Sequence, residues 1–239
     1  QETGFKPNEL ARALFKKSSK IIGMIVPNIE NPFFSEIAKA VEEEAFQNGY
    51  KMLLCNSANN PKKERMNIQM LVQMQADGIV IMTNSDRTGK KIAECGLPVV
   101  VMDRKLSEGR EIAFIESDHY KGGKLAAEHL IECGCKNLLH FGGVAGKDMP
   151  ADRRADGFSD VCKKAGIPYR ILVSDRLQYG SMHYEDFIRR ALQEFPDVDG
   201  IFASSDLIAA QLLQVCHNLN IDVPSQMKIV GFDDVNIAS

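Results

Sequence analysis

From Lys20 onward, short apolar runs alternate with longer stretches whose apolar positions recur at helical spacing. The runs are 20–26 (KIIGMIV), 50–55 (YKMLLC), 78–82 (GIVIM), 98–102 (PVVVM), 112–115 (IAFI), 137–142 (NLLHFG), 170–173 (RILV), 200–203 (GIFA) and 228–232 (KIVGF). They are nearly continuous, rich in β-branched residues, and bounded by Gly, Pro or Asn. Parallel strands buried on both faces have that pattern. Amphipathic stretches at 33–48, 62–76, 118–133, 151–165, 182–195 and 204–219 predict the intervening helices. Strand and helix in alternation predict doubly wound α/β layers.

The pattern occurs twice. In the first half a helix ends at Asn48-Gly49, a strand starts at Tyr50, a helix follows, and Asp77-Gly78-Ile79 opens the next strand. In the second half the matching points are Ala165-Gly166, Tyr169 and Asp199-Gly200-Ile201. Gly49 and Gly166 fit left-handed helix caps. Repetition of whole βαβ units predicts two similar parallel-sheet lobes with a ligand cleft between them, rather than a solenoid. The expected division is a linker at 1–19, a first lobe at 20–116 and a second at 117–239.

Ligands of open parallel sheets bind beyond the carboxyl ends of the strands. The loops there are 27–34, 56–61, 83–88, 103–107, 116–118, 143–154, 174–181, 204–206 and 233–236. They gather the aromatics Phe33, Phe34 and Tyr179, and the amides Asn28, Asn31, Asn56 and Asn84. They also hold the carboxylates Asp86, Asp103, Asp118, Asp175, Asp206 and Asp233, and the guanidinium groups Arg104, Arg153, Arg154 and Arg176. Carboxylates and guanidinium forks bond neighbouring hydroxyls in pairs, and aromatic faces cover the C–H side of a sugar ring. Taken singly, each residue is structural more often than not, because strand-end loops are polar anyway. Their joint placement points to a small polyol.

A hydrophobic share of 44% and a charged share of 26% describe a globular chain. Its 239 residues suit one large or two ordinary domains. No apolar run approaches the ~18 residues of a membrane span, and the polar start is unlike a signal peptide. Cys55, Cys95, Cys133, Cys135, Cys162 and Cys216 include no CxxC pair and no zinc-like spacing with histidine. Reduced, packed thiols in a cytoplasmic protein are expected.

Catalytic motifs are lacking. The five histidines, 119, 129, 140, 183 and 217, fall in no HExxH and beside no GxSxG serine. Gly142–Lys147 is phosphate-loop-like, but its spacing is wrong and Asp148 stands where Ser or Thr is needed. No GxGxxG follows a strand. Asp118-His119 reads as a helix cap before it reads as an acid–base pair. The expectation is a chain with no catalytic residue, no metal and no cofactor.

Residues 4–14 (GFKPNELARAL) stand apart. Pro7 suits a first helical turn, and Asn8–Leu14 makes about two turns, too short to be stable alone. Residues 1–19 hold Lys6, Arg12, Lys16 and Lys17 against Glu2 and Glu9, a basic excess on a chain of net charge −3. A basic arm on an acidic body suits an arm that touches phosphate; a frayed terminal arm is the alternative.

One set of motifs joins these observations. Pro7-Asn8…Ala11-Arg12…Leu14 precedes Ile22-Gly23…Ile25-Val26-Pro27…Asn31-Pro32-Phe33-Phe34. Asp77-Gly78-Ile79 and Ser117-Asp118…Gly122-Gly123…Ala126…His129-Leu130 follow. Then come Arg154…Gly157-Phe158, Ser205-Asp206 and Gly231-Phe232-Asp233-Asp234. In combination, and over essentially the whole chain, they resemble the lactose/galactose repressor (LacI/GalR) family of bacterial transcription regulators. Within it the chain is most similar to repressors of the ribose and sucrose kind.

The resemblance implies a sugar-responsive transcriptional regulator, a repressor by type, whose effector is a sugar or sugar phosphate. It implies that Phe33 and Phe34 stack on effector, that Arg154 reaches it and that Asp233 holds it. Asn84, Asp103, Ser117, Asp118, Arg176, Ser205 and Asp206 complete the candidate set, Ser205 standing where Asn often precedes Asp206. Asn8, Ala11, Arg12 and Leu14 become hinge positions against operator DNA, with Leu14 wedged into the minor groove. A homodimer is implied, with no membrane partner. Its expected interface is helices 33–48 and 62–76, where Met66, Met70 and Met74 form either a contact stripe or ordinary core. The family's helix-turn-helix head and its crossover after the Gly-Phe-Asp-Asp segment are not among these residues. A periplasmic-type sugar-binding protein is the alternative, and an enzyme on the same layers is third.

Overall fold

The computed structural model describes residues 18–83, 88–103, 112–144 and 149–238. Two compact units divide the chain: Gln1–Glu30 with Phe34–Glu116, and Asn31–Phe33 with Ser117–Ser239.

Unit 1 runs β1 (Ile21–Val26), α1 (Pro32–Gln47), β2 (Lys51–Asn56), α2 (Pro61–Gln73), β3 (Gly78–Met82), α3 (Gly89–Glu94), β4 (Val99–Met102) and β5 (Ile112–Ile115). The strands form one parallel sheet in the order β2-β1-β3-β4-β5. Ile25, Ile68, Leu71, Ile79, Ile81, Ile92, Val99 and Val101 make its core. Asn60 starts α2 by accepting from Lys62 N and Lys63 N at 2.9 and 3.2 Å, with Pro61 in the first turn. Ile68 and Leu71 give α2 its buried face, so Met66, Met70 and Met74 are exposed rather than core.

Unit 2 runs α4 (His119–Glu132), β6 (Leu138–Val144), α5 (Pro150–Ala165), β7 (Tyr169–Ser174), α6 (Arg176–Ser181), α7 (Glu185–Glu194), β8 (Gly200–Ala203), α8 (Asp206–Asn218) and β9 (Lys228–Val230). Its parallel sheet has the order β7-β6-β8-β9. Leu139, Phe141, Ile188, Ile201, Leu212 and Val215 pack α7 and α8 on one face. Leu130, Leu138, Phe158, Cys162 and Phe202 pack α4 and α5 on the other. Both sheets reverse direction of winding beside their first strand, the place where such sheets open a crevice for ligand.

All nine expected strands form. β9 stops two residues early, at Val230, which releases Gly231–Asp234 into a loop. Two short helices go beyond the expected elements. α3 is six residues, too short for a periodic signal. α6 lies within 174–181 because Asp175 and Gln178 form a reciprocal cap: Asp175 accepts from Leu177 N and Gln178 N, both at 2.8 Å, and Gln178 Oε1 accepts from Asp175 N. Met182 then turns left-handed (φ +56°), so the helix expected from residue 182 begins at Glu185. Gly49 and Gly166 take the left-handed φ expected of them, +74° and +66°. The six thiols are free. Burial pushes the thiols of Cys55, Cys135 and Cys216 up, and that of Cys162 to about 11. Cys133 is exposed.

Candidate ligand site

The geometry is clearest in unit 2. Pro150 opens α5 and Asp152 reaches back to Met149 N at 3.2 Å, which puts Arg154 on the helix's inner face. Arg154 is buried, with its guanidinium 4.4 Å above the Phe232 ring. Its Nη1 donates to His119 Nδ1 at 3.0 Å. Arginine can only donate, so Nδ1 accepts and the ring proton of His119 lies on Nε2. His119 is 1% exposed, and its ring lies 5.9 Å from that of Phe232.

Three glycines make this arrangement possible. A Cβ on Gly123 would lie 1.9 Å from Arg154 O, and one on Gly157 would lie 2.0 Å from Tyr120 O. The backbones of α4 and α5 therefore cross in contact. A Cβ on Gly122 would strike Phe232 at 2.5 Å, so its absence leaves room for the ring beneath Arg154.

The loop after β9 is tied to the start of α8. Asp206 N donates to Phe232 O at 2.8 Å, and Asp206 Oδ2 accepts from Val235 N at 3.0 Å. Gly231 must lack a Cβ, which would sit 2.2 Å from Asp206 Oδ1. Between these ties Asp233 and Asp234 take φ of +112° and +57°. A backbone held in that region by its surroundings is a common feature of ligand sites.

The candidate residues thus separate by what they do. Arg154, Ser205, Asp206 and Asp233 belong to strand-end segments of unit 2 that touch one another or the same loop. Ser205 caps α8, accepting from Ile208 N at 3.4 Å, and Asp206 is buried in its bond to the β9 loop. Asp118 caps α4 by accepting from Lys121 N at 3.0 Å, and Ser117 O accepts from His119 N. Phe33 is half-buried, with its N–H donating to Asn31 Oδ1 at 3.1 Å. In unit 1, Phe34 is buried, and Asp103, just after β4, has φ +68° while its N–H donates to Ile115 O at 2.8 Å. Asn84, the side chain of Arg176, and the hinge positions Asn8, Ala11, Arg12 and Leu14 lie outside the described residues.

Sequence reasoning passed over His119 and gave Phe232 no role of its own. The only available signal was a histidine at a helix start beside a capping Asp. Among the described residues, no group of three or more His, Cys, Asp or Glu is placed to hold a metal. No helix among them is long and apolar enough to cross a membrane. A second histidine, His140, lies deeper. Its Nδ1–H donates to Phe202 O at 2.9 Å, and its ring stacks on Phe202 at 4.6 Å. Burial pushes its pKa down to about 4, the bond to Phe202 opposing and the nearby Arg154 adding.

Two parallel-sheet units of one topology, with polar groups fixed beyond their strand ends, define a binding-protein core of the periplasmic type. Residues 19–237 match the family described as periplasmic binding proteins and sugar binding domain of LacI family, and the chain belongs to that family. It is 36% identical over 239 residues to the ribose operon repressor of Halalkalibacterium halodurans, covering all of this chain and 70% of that protein. It is likewise 36% identical over 231 residues to the sucrose operon repressor of Streptococcus mutans, covering 96% and 69%. A solved structure, a periplasmic binding protein/LacI transcriptional regulator from Alkaliphilus metalliredigens complexed with D-xylulofuranose, superposes with a TM-score of 0.78. It is 28% identical, over 91% of this chain and 79% of that one.

Proposed function

We propose that this chain is the effector-binding core of a sugar-responsive transcriptional repressor. The carrying observation is the buried Arg154, seated on Phe232 and bonded to His119 beside the strained Asp233 loop. A fixed guanidinium and a carboxylate suit the paired hydroxyls of a sugar. Ribose and sucrose repressors as relatives, and a relative complexed with D-xylulofuranose, support a small sugar over other ligand classes. We extend the site to Phe33 and Phe34 as stacking faces, with Asn84, Asp103, Ser117, Asp118 and Arg176 as further polar contacts. The protein works in the cytoplasm as a homodimer, pairing through the exposed Met66 and Met70 of α2 and Met74 at its C-cap. Its residues 4–14 act as a hinge against operator DNA in the full-length protein. Sugar binding by one arrangement of the two units more than another then biases DNA binding.

Calorimetry with D-ribose, D-xylulose, sucrose and their phosphates tests the site. Arg154→Ala and Asp233→Ala should each weaken binding by roughly 1–3 kcal/mol, the cost of losing a charged hydrogen bond. Wild-type affinity in both variants would remove these residues from the site. Turnover of a bound sugar would favour an enzyme instead.

A further inference from the structure

The residues that lead into β1 are tied down. Asp77, at the turn before β3, accepts from Ser18 Oγ, from Ser19 N at 2.7 Å and from Ser19 Oγ at 3.0 Å. Its own N–H donates to Ile21 O at 2.8 Å. Ser19 Oγ also accepts from Ile21 N at 3.2 Å. On the other side, Lys20 takes a left-handed φ of +56°, its carbonyl accepts from Lys51 N at 2.8 Å, and its ammonium lies 4.2 Å over the Tyr50 ring. Burial pushes the Asp77 carboxyl up, but the donors of Ser18, Ser19 and Lys20 more than reverse it and leave its pKa below the ordinary value. Three residues are thus held from both flanks, at the amino ends of β1, β2 and β3.

We propose that Asp77 is a positioning residue for DNA binding: it fixes where and in what direction the residues ahead of Ser18 leave unit 1. The proposal rests on the reading of residues 4–14 as a DNA hinge. A hinge that must meet its twin on DNA needs a fixed point of departure. A free swivel at residues 18–20 would add conformational entropy that binding must remove. It would also let motions of unit 1 pass without moving the hinge. Asp77 touches neither ligand; it acts through Ser18 and Ser19.

The test uses the full-length protein and a duplex recovered by it from a random-sequence pool. Asp77→Ala should weaken duplex affinity by about tenfold, the equivalent of roughly one charged hydrogen bond. Sugar affinity should stay near wild type, and the urea midpoint should fall only by the small cost of these half-buried bonds. The double variant Ser18→Ala/Ser19→Ala should match it, and the triple variant should be no worse, since all act through one clamp. Hydrogen exchange at the Ser19 and Lys20 amides reports directly whether the clamp is open. Faster exchange with unchanged duplex affinity would overturn the proposal. So would a fall in the urea midpoint large enough to account for the loss of DNA binding. A wild-type protein that recovers no duplex while binding sugar would overturn the hinge reading, and this inference with it.

Discussion

Asp77 in unit 1 and Asp199 in unit 2 hold equivalent places in the repeat, yet different donors satisfy them. Asp199 accepts from Lys136 N at 2.9 and 2.8 Å and from Asn137 N at 2.9 Å, and its own N–H donates to Asn137 O at 3.1 Å. Each carboxylate precedes a glycine that opens a strand, β3 or β8, and each holds the segment entering the adjacent strand, β1 or β6. The amino ends of parallel strands present N–H groups that the ladder does not use. One carboxylate accepts several of them with the gain of a charged hydrogen bond. In unit 2 these donors, Lys136 N and Asn137 N, are backbone, and the chain upstream is a helix of the same unit. In unit 1 two serine hydroxyls join the backbone donors, and the chain upstream is the arm. A backbone clamp is indifferent to sequence, whereas a hydroxyl clamp can be loosened by a single substitution.

The largest expected difference between the units lies in their central strands. Met24 pairs with Val80, two residues past the Ile22–Gly78 pair. His140 pairs with Phe202, two residues past Leu138–Gly200. Both side chains are fully buried, so unit 2 has a histidine where unit 1 has a methionine. The unfolded chain takes up the His140 proton near pH 6.5 and the folded chain only near 4. Between those values the unfolded state binds more protons, so this contribution is intact above 6.5 and is lost progressively as pH falls. The total loss by about pH 4 is roughly 3 kcal/mol. Urea unfolding across this window should show His140→Met losing less stability than wild type. Parallel decline of the two proteins would mean that the acid sensitivity lies elsewhere.

The two glycines of the repeated Asp-Gly-Ile sequence should separate next. A Cβ at Gly200 would lie 2.7 Å from Leu138 Cδ2 and 2.8 Å from Cys135 Sγ. At Gly78 it would make only ordinary contacts, 3.4 Å to Pro98 O and 3.7 Å to Ile22 Cδ1. Gly200→Ala should cost about 1–3 kcal/mol by overpacking. Gly78→Ala should stay within about 1 kcal/mol, since restriction of the unfolded chain offsets any strain. Comparison of urea midpoints decides it; equal costs would mean that the motif's glycine is required for a reason other than space.

These contrasts mark where sequence patterns end. Buried parallel strands are apolar along their whole length, so all nine were legible, and the repeat exposed the two Asp-Gly-Ile corners. What each Asp accepts was not legible: Ser18 and Ser19 lie almost sixty residues from Asp77, and nothing periodic links them. α6 was missed because its start depends on the Asp175–Gln178 cap rather than on an apolar stripe. The strand-end loops gathered Arg154 and Asp233 among many polar residues, and the family motifs singled them out. His119 escaped because its role exists only opposite Arg154, thirty-five residues on. Asp118 caps its helix as the sequence led one to expect, and Ser205, nominated only as a ligand residue, caps one too, because a polar side chain at a strand end serves the next helix.

The smallest effect is the most specific to the two clamps. Ser19→Ala removes a hydroxyl that donates to Asp77 and accepts from Ile21 N. The site is half-buried, so the cost should be at most about 1 kcal/mol, the size of an ordinary hydrogen bond. Its effect should be local: faster hydrogen exchange at Ile21 and Lys20, with the rest of β1 unaltered. Lys136→Ala is the counterpart in unit 2. It trims an exposed side chain but keeps the backbone N–H that Asp199 accepts, so exchange at residues 136 and 137 should not change. If Lys136→Ala loosens its clamp as much as Ser19→Ala does, the hydroxyls carry no special share. The two clamps would then be one device, and the contrast between sequence-tuned and sequence-indifferent anchoring would fail.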